Sequence, residues 1–98
     1  MRTIAHWVDG KYYEGNPIGR FAVENPGTGE VEAELLQASD ADLDHAVEVA
    51  RRAQKEWAKV SLAKRTAIMF RMRQLVLDHS DEMAKMIVAE HGKNYSDA

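Results

Sequence analysis

The clearest pattern in this sequence is a helical segment, residues 62–79 (LAKRTAIMFRMRQLVLDH), that is apolar around most of its circumference. At about 100° per residue, its polar side chains gather on one narrow face: Lys64, Arg71, Gln74 and Asp78. The apolar side chains cover most of the remaining arc: Leu62, Ala63, Ile68, Met69, Phe70, Met72, Leu75, Val76 and Leu77. A surface helix needs an apolar stripe little wider than about 100°. The pattern therefore predicts that helix 62–79 packs against neighbours on more than one side.

Two cations, Arg65 and Arg73, fall inside this apolar arc. A cation in such surroundings needs a carboxylate or a carbonyl group as its partner. A chain of 98 residues forms at most one domain and buries only roughly 60–65% of its unfolded surface. We therefore expect copies of the chain to bury helix 62–79 against each other as a homo-oligomer, most economically by symmetric pairing.

A second helix is predicted over residues 40–58. Ser39 is its expected N-cap, because the hydroxyl can accept the backbone N–H of Asp42. Apolar residues then recur at helical spacing: Leu43, Ala46, Val47, Ala50, Ala53 and Trp57.

The last predicted helix covers residues 81–91, with an N-cap at Ser80 and a C-terminal glycine at Gly92. Among the polar clusters of the sequence, the run Glu90–Lys93 is the strongest candidate for a functional role. A simpler interpretation is a helix C-cap with a cation near the negative end of the helix dipole.

Before residue 39, alternating positions predict two β-hairpins and no parallel strand. Strands 4–8 and 11–13 flank Asp9-Gly10, a pair that favours a type I′ turn, and Trp7 would face a tyrosine of the second strand. Strands 20–24 and 30–37 flank the turn NPGTG. In the last strand Val31, Ala33 and Leu35 would form an apolar face, opposite a wet face with Glu30, Glu32 and Glu34.

Composition narrows the function classes. The chain is 45% hydrophobic and 30% charged with a net charge of −3, which gives no reason to expect nucleic acid or an anionic membrane as a partner. No apolar run approaches the roughly 20 residues of a membrane span, and residues 1–10 lack the apolar region of a signal peptide. We expect a cytoplasmic protein with a single truncated domain over residues 1–98, divided into a β-hairpin region (1–38) and a helical region (39–98).

No constellation of side chains predicts chemistry. The histidines are scattered along the chain: His6, His45, His79 and His91. No glycine pattern of the form G-x-G-x-x-G follows a strand, and the absence of cysteine removes any thiol nucleophile. We therefore assign no catalytic, cofactor-binding or metal-binding residue.

Several motifs in order resemble the N-terminal portion of the NAD(P)-dependent aldehyde dehydrogenase superfamily. They are the hairpin HWVDGKYYEG, the turn ENPGTGEVEAEL, the helix from Ala46 to Trp57, the helix from Arg65 to Leu75 with its RMRQL run, and the sequence EHGK at residues 90–93. The opening HWVDGK and the ending EHGKNYSDA resemble CoA-acylating methylmalonate-semialdehyde dehydrogenases in particular.

The resemblance implies an α+β fragment, the N-terminal part of a Rossmann-like aldehyde dehydrogenase fold. The enzyme it implies oxidises malonate or methylmalonate semialdehyde to an acyl-CoA through a cysteine thioester, with hydride transfer to NAD. The family's cysteine, its oxyanion asparagine and its nucleotide-binding residues would all lie beyond residue 98. We therefore expect this fragment to be inactive, to bind neither NAD nor CoA, and to pair with the rest of a dehydrogenase chain if one exists.

A different class of function stays open. The chain is alternatively an autonomous helical interaction or assembly module derived from the same fold. A fragment should expose apolar surface, self-associate or be partly disordered, whereas a module should fold cooperatively as a soluble species.

Overall fold

The computed structural model describes all 98 residues and contains five strands and three helices. In chain order they are β1 (Arg2–Ile4), β2 (His6–Val8), β3 (Lys11–Tyr13), β4 (Gly19–Glu24), β5 (Val31–Gln37), α1 (Asp40–Trp57), α2 (Leu62–Asp78) and α3 (Ser80–His91). The α+β class is confirmed, as are two antiparallel hairpins followed by three helices.

The chain forms two compact units. Unit 1 contains residues 1–24 and 30–58, and unit 2 contains residues 25–29 and 59–98. Contacts thus group α1 with the strands in unit 1. The predicted single domain with regions 1–38 and 39–98 stays a prediction.

The first hairpin pairs β2 with β3, and its turn has the expected geometry. Asp9 and Gly10 have φ angles of 58° and 71°, both positive as a type I′ turn requires. Trp7 lies directly opposite Tyr12. The strand predicted over residues 4–8 was too long, because Ala5 is outside any strand and Ile4 belongs to β1.

The expectation of no parallel strand was wrong. β1 pairs in parallel with β5, with Arg2 opposite Ala33 and Ile4 opposite Leu35, so the sheet order is β1–β5–β4. The hydroxyl of Tyr12 donates to the Thr3 carbonyl at 3.0 Å and links the hairpin to this sheet. A strand of only three residues has too short an alternation of polar and apolar positions to identify its partner strand from the sequence.

The second hairpin pairs β4 with β5, but the prediction of one wet face was wrong. Ala33 and Leu36 are 0% and 2% exposed, and they have opposite parity along β5. Since successive side chains of a strand point to opposite faces, β5 buries a residue on each face of the sheet. Leu36 therefore shares a face with Glu34, whose carboxylate pairs with Arg20 at 2.7 Å.

The helices begin close to where the caps were predicted, with one exception. Ser39 caps α1 as expected, and the Ser61 hydroxyl accepts the backbone N–H of Lys64 at the start of α2. The N-cap of α3 is His79, so the prediction of Ser80 was wrong. The His79 ring hydrogen-bonds the Glu82 side chain at 2.8 Å instead of capping a backbone N–H.

The apolar core is small. Three apolar residues are buried: Ala33 and Leu36 in unit 1 and Ala84 in unit 2. No helix combines the length and the apolar character that a membrane crossing requires.

Replacing Gly29 by alanine should lower the free energy of unfolding by about 1 kcal/mol, because Gly29 has a φ of 76° that a Cβ disfavours. Urea denaturation followed by circular dichroism measures the change. Gly29→Asn should lose less, because asparagine tolerates the left-handed region better than alanine. Equal losses for the two variants would show that φ at this position is not the cause.

Candidate assembly surface

A buried carboxylate, Asp42, holds the loop after the first hairpin against the start of α1. Asp42 is 3% exposed and accepts the backbone N–H of Ser39 at 3.0 Å, while its own N–H donates to the Ser39 hydroxyl at 3.1 Å. It also accepts the backbone N–H of Asn16 at 3.1 Å and the hydroxyl of Tyr13 at 3.2 Å. The capping box predicted from the sequence is therefore also a tertiary contact.

These hydrogen bonds explain how Asp42 and Tyr13 titrate. The N–H groups of Ser39 and Asn16 favour the charged carboxylate, so they hold the pKa of Asp42 below its ordinary value. Burial, together with the hydrogen bond to Asp42 and the negative charge there, raises the pKa of the Tyr13 hydroxyl. A carboxylate that is already occupied by these donors is a structural group, not a general base.

Gly15 makes this arrangement sterically feasible. A Cβ on Gly15 would lie 2.3 Å from a carboxylate oxygen of Asp42, and the φ of Gly15 is 62°. Any other residue would displace the carboxylate from its donors. The requirement for glycine at this loop position was not predicted, because the partner is 27 positions away in the sequence.

The histidines form no metal site. His6 lies opposite Tyr13 in the hairpin, and the Tyr13 and His45 rings have centroids 5.2 Å apart. No three histidine, aspartate or glutamate side chains converge in a way that would hold a metal ion.

Two sequence motifs that are far apart in the chain meet in unit 2. In the turn 25–29, the Asn25 carbonyl accepts the N–H of Gly29 at 2.7 Å and its side chain accepts the N–H of Gly27 at 2.9 Å. Gly92 ends α3 with a φ of 78°, as predicted, and a Cβ on it would lie 3.1 Å from the ring of Pro26. The Glu90–Lys93 cluster therefore contains a packing position as well as a helix cap.

The apolar surface of α2 is largely exposed. We define the α2 arc as its exposed large apolar side chains: Leu62, Ile68, Met69, Phe70, Met72, Leu75, Val76 and Leu77. Their exposure ranges from 42% for Val76 to 74% for Leu62, and no residue of α2 is buried. Each large apolar side chain left in water forgoes roughly 1.5–3 kcal/mol of burial. An uncovered surface of this kind marks an interface.

A polar defect lies within the same helix. The Nε atom of Arg65 is inaccessible to solvent and has no hydrogen-bond acceptor. A buried donor without an acceptor is costly, so this N–H is a local cost in the packing of α2.

Comparison with known proteins decides the family. The sequence profile of the aldehyde dehydrogenase family matches residues 12–98. The chain belongs to the aldehyde dehydrogenase family. The residues that carried the resemblance, from the hairpin to EHGK, extend over nearly the whole matched range.

The relatives that the chain matches include malonate-semialdehyde dehydrogenases. Over 98 residues the chain is 38% identical to malonate-semialdehyde dehydrogenase 2 of Oceanobacillus iheyensis, and 36% identical to malonate-semialdehyde dehydrogenase 1 of Geobacillus thermodenitrificans. A crystal structure from Sinorhizobium meliloti 1021, described as a methylmalonate-semialdehyde dehydrogenase complexed with NAD, matches 99% of the chain with a TM-score of 0.95 and 39% identity. The chain spans about 20% of the length of each of these proteins, and its fold corresponds to the N-terminal part of the aldehyde dehydrogenase fold.

Three cavities of unit 1 have linings with few basic side chains. Cavities of about 320 and 250 Å³ have largely apolar linings, with Asp9 and Asp42 as their acidic members. A third, of about 330 Å³, includes Arg20, but this guanidinium pairs with Glu34. A carboxylate repels a pyrophosphate beside it, so Asp9 and Asp42 do not favour a phosphate group in the two apolar cavities.

Acid should destabilise unit 1 through Asp42. Because its folded-state pKa lies below the ordinary value of 3.8, its contribution to stability is present above that value and is lost as the pH falls through the folded-state pKa. Denaturation midpoints measured from pH 5 downward should fall more steeply for the original chain than for Asp42→Asn. Asp44→Asn, which leaves the donors around Asp42 in place, is the control and should keep the steep fall.

Replacing Gly92 by alanine should lower the free energy of unfolding by about 1 kcal/mol or more, because the Cβ meets both an unfavourable φ and the Pro26 ring. Combining Gly92→Ala with Pro26→Ala removes the steric part, so the double variant should lose less than the sum of the single changes. Strict additivity in denaturation experiments would mean that the two motifs are not in contact.

Proposed function

We propose that this chain is the N-terminal structural segment of an NAD-dependent, CoA-acylating malonate- or methylmalonate-semialdehyde dehydrogenase. The main support for this proposal is the match to the Sinorhizobium meliloti structure, at a TM-score of 0.95 and 39% identity over 99% of the chain. The malonate-semialdehyde dehydrogenases of two further organisms support the same substrate class. The proposed place of work is the cytoplasm.

In that enzyme the segment supports the fold and contributes no residue to the chemical reaction. The chain has no cysteine to form the thioester, and its buried carboxylate is committed to the Asp42 capping network. In such an enzyme NAD accepts the hydride and CoA accepts the acyl group. The residues of this chain supply a packed hairpin and an uncovered apolar helix against which other parts of the protein can fold.

The α2 arc is the surface through which this support is given. Covering several side chains that are each about half exposed contributes free energy on the scale of a whole domain's stability, about 5–15 kcal/mol. We propose that the remaining four fifths of a dehydrogenase chain provides this cover.

The 98 residues alone should neither reduce NAD in the presence of malonate semialdehyde nor bind NAD, because they contain no thiol nucleophile and no phosphate-binding turn. Isothermal titration with NAD and absorbance assays with aldehyde and CoA measure the two properties. Micromolar NAD binding by the isolated chain would contradict the proposal.

A chimera tests the supporting role directly. This chain replaces the matching segment of malonate-semialdehyde dehydrogenase 2 of Oceanobacillus iheyensis, and the same enzyme without the segment is the control. The chimera should regain NAD-dependent oxidation that the shortened enzyme lacks. A shortened enzyme with full activity would show that the segment is dispensable.

The module hypothesis makes the opposite prediction for the isolated chain. An autonomous interaction module would unfold cooperatively as a monomer with its apolar surface covered. The exposure of Phe70 at 66% and Leu77 at 52% favours the segment of an enzyme over a self-sufficient module.

A further inference from the structure

We propose that, in the 98-residue chain by itself, α2 of one copy docks into a groove between the first hairpin and α1 in unit 1 of a second copy. This pairing differs from the symmetric helix-to-helix pairing expected from the sequence. It needs no residue outside the chain, so its failure would leave the proposed enzyme role untouched.

The groove has the shape that a helix requires. Its floor is one face of α1, made of small residues at positions i, i+3, i+4 and i+7: Ala46, Val49, Ala50 and Ala53. Its wall is the hairpin around Trp7, Val8, Asp9 and Gly10, and the cavity has a volume of about 320 Å³. Small floor residues let a second helix approach to the 8–10 Å typical of packed helices.

The groove is also open and apolar. Trp7 is 74% exposed at its wall, and Ala50 and Ala53 are exposed on its floor. Aromatic side chains at the edge of an apolar groove are frequent anchors of protein interfaces. The α2 arc, which presents methionine, leucine and phenylalanine side chains, is a matching occupant.

Charge selects unit 1, not a second α2, as the docking partner. Four cations and one aspartate give α2 a net charge of +3: Lys64, Arg65, Arg71, Arg73 and Asp78. Unit 1 has six basic and eleven acidic residues, a net charge of −5. Pairing two α2 helices brings like charges together, whereas pairing α2 with unit 1 brings opposite charges together.

The groove also offers a counter-charge to the cations of α2. Asp9 lies in the groove wall, at the turn of the hairpin, and carries a carboxylate. Arg65 and Arg73 lie at positions within the apolar arc of α2, and their guanidinium charges need such a partner once the arc is covered. A second copy therefore provides apolar contact and a counter-charge in the same place.

Sedimentation velocity at micromolar concentration tests the proposal with paired variants of the full 98-residue chain. Ala53→Arg adds a cation to the groove floor, and Ala58→Arg adds the same cation nearby, at the exposed residue that follows α1 and lies outside the groove lining, as the control. We expect association by the original chain and by Ala58→Arg, and at least about tenfold weaker association by Ala53→Arg and in high salt. Circular dichroism checks that each variant is folded, and Ala50→Trp is a second way to fill the groove.

Mixing two disabled variants separates the two modes of pairing. Met69→Glu disables α2 and leaves the groove intact, whereas Ala53→Arg disables the groove and leaves α2 intact. Each should be monomeric alone, and an equimolar mixture should form a 1:1 complex. A monomeric original chain, equal association by Ala53→Arg and Ala58→Arg, or a mixture without complex would each overturn the proposal.

Discussion

Unit 1 depends on a single carboxylate. Asp42 accepts hydrogen bonds from three parts of the chain: the cap of α1 through Ser39, the loop through Asn16 and the hairpin through Tyr13. Each donor would lose its acceptor if the carboxylate moved, and unsatisfied buried donors are costly. The small apolar core, Ala33 and Leu36 in this unit, offers little to replace these hydrogen bonds. Polar contacts therefore provide a specificity that larger domains obtain from side-chain packing.

Unit 2 has the opposite balance between polar and apolar groups. It has one buried apolar residue, Ala84, but a helix whose exposed side chains are predominantly apolar. Helical periodicity, the Ser61 cap and the Gly92 C-cap all agree with the helices that this unit forms. The helix is consistent with its local signals, and its surface is consistent with partners supplied from elsewhere.

Local signals predicted the local structure well. Three features each depend on residues within four positions of one another: the Asp9-Gly10 turn, the Ser39 cap and the left-handed Gly92. A short stretch of sequence is therefore sufficient to predict each of them. The apolar excess of α2 was also visible, because helical periodicity is a local property. The family followed from the order of these local motifs.

Contacts between distant residues were the ones that sequence reasoning missed. The parallel pairing of β1, the burial of Leu36 on the glutamate face and the fit of Gly15 against Asp42 all join positions that are far apart in the chain. The predicted N-cap of α3 was wrong for a different reason. Ser80 and His79 are adjacent candidates for the N-cap position, and the ring of His79 hydrogen-bonds Glu82. No catalytic, cofactor-binding or metal-binding residue was predicted from the sequence, and the groove between the first hairpin and α1 was not predicted because no short motif marks it.

The parallel pairing of β1 with β5 also sets an order of events during synthesis. Residues 2–4 are made before their partner strand, which ends at residue 37, so β1 has to wait for more than thirty further residues to be made. The β2–β3 hairpin closes over a two-residue turn and can form on the timescale of microseconds, long before that. Because its only partner strand is β5, β1 can take its place in the sheet only when β5 is available.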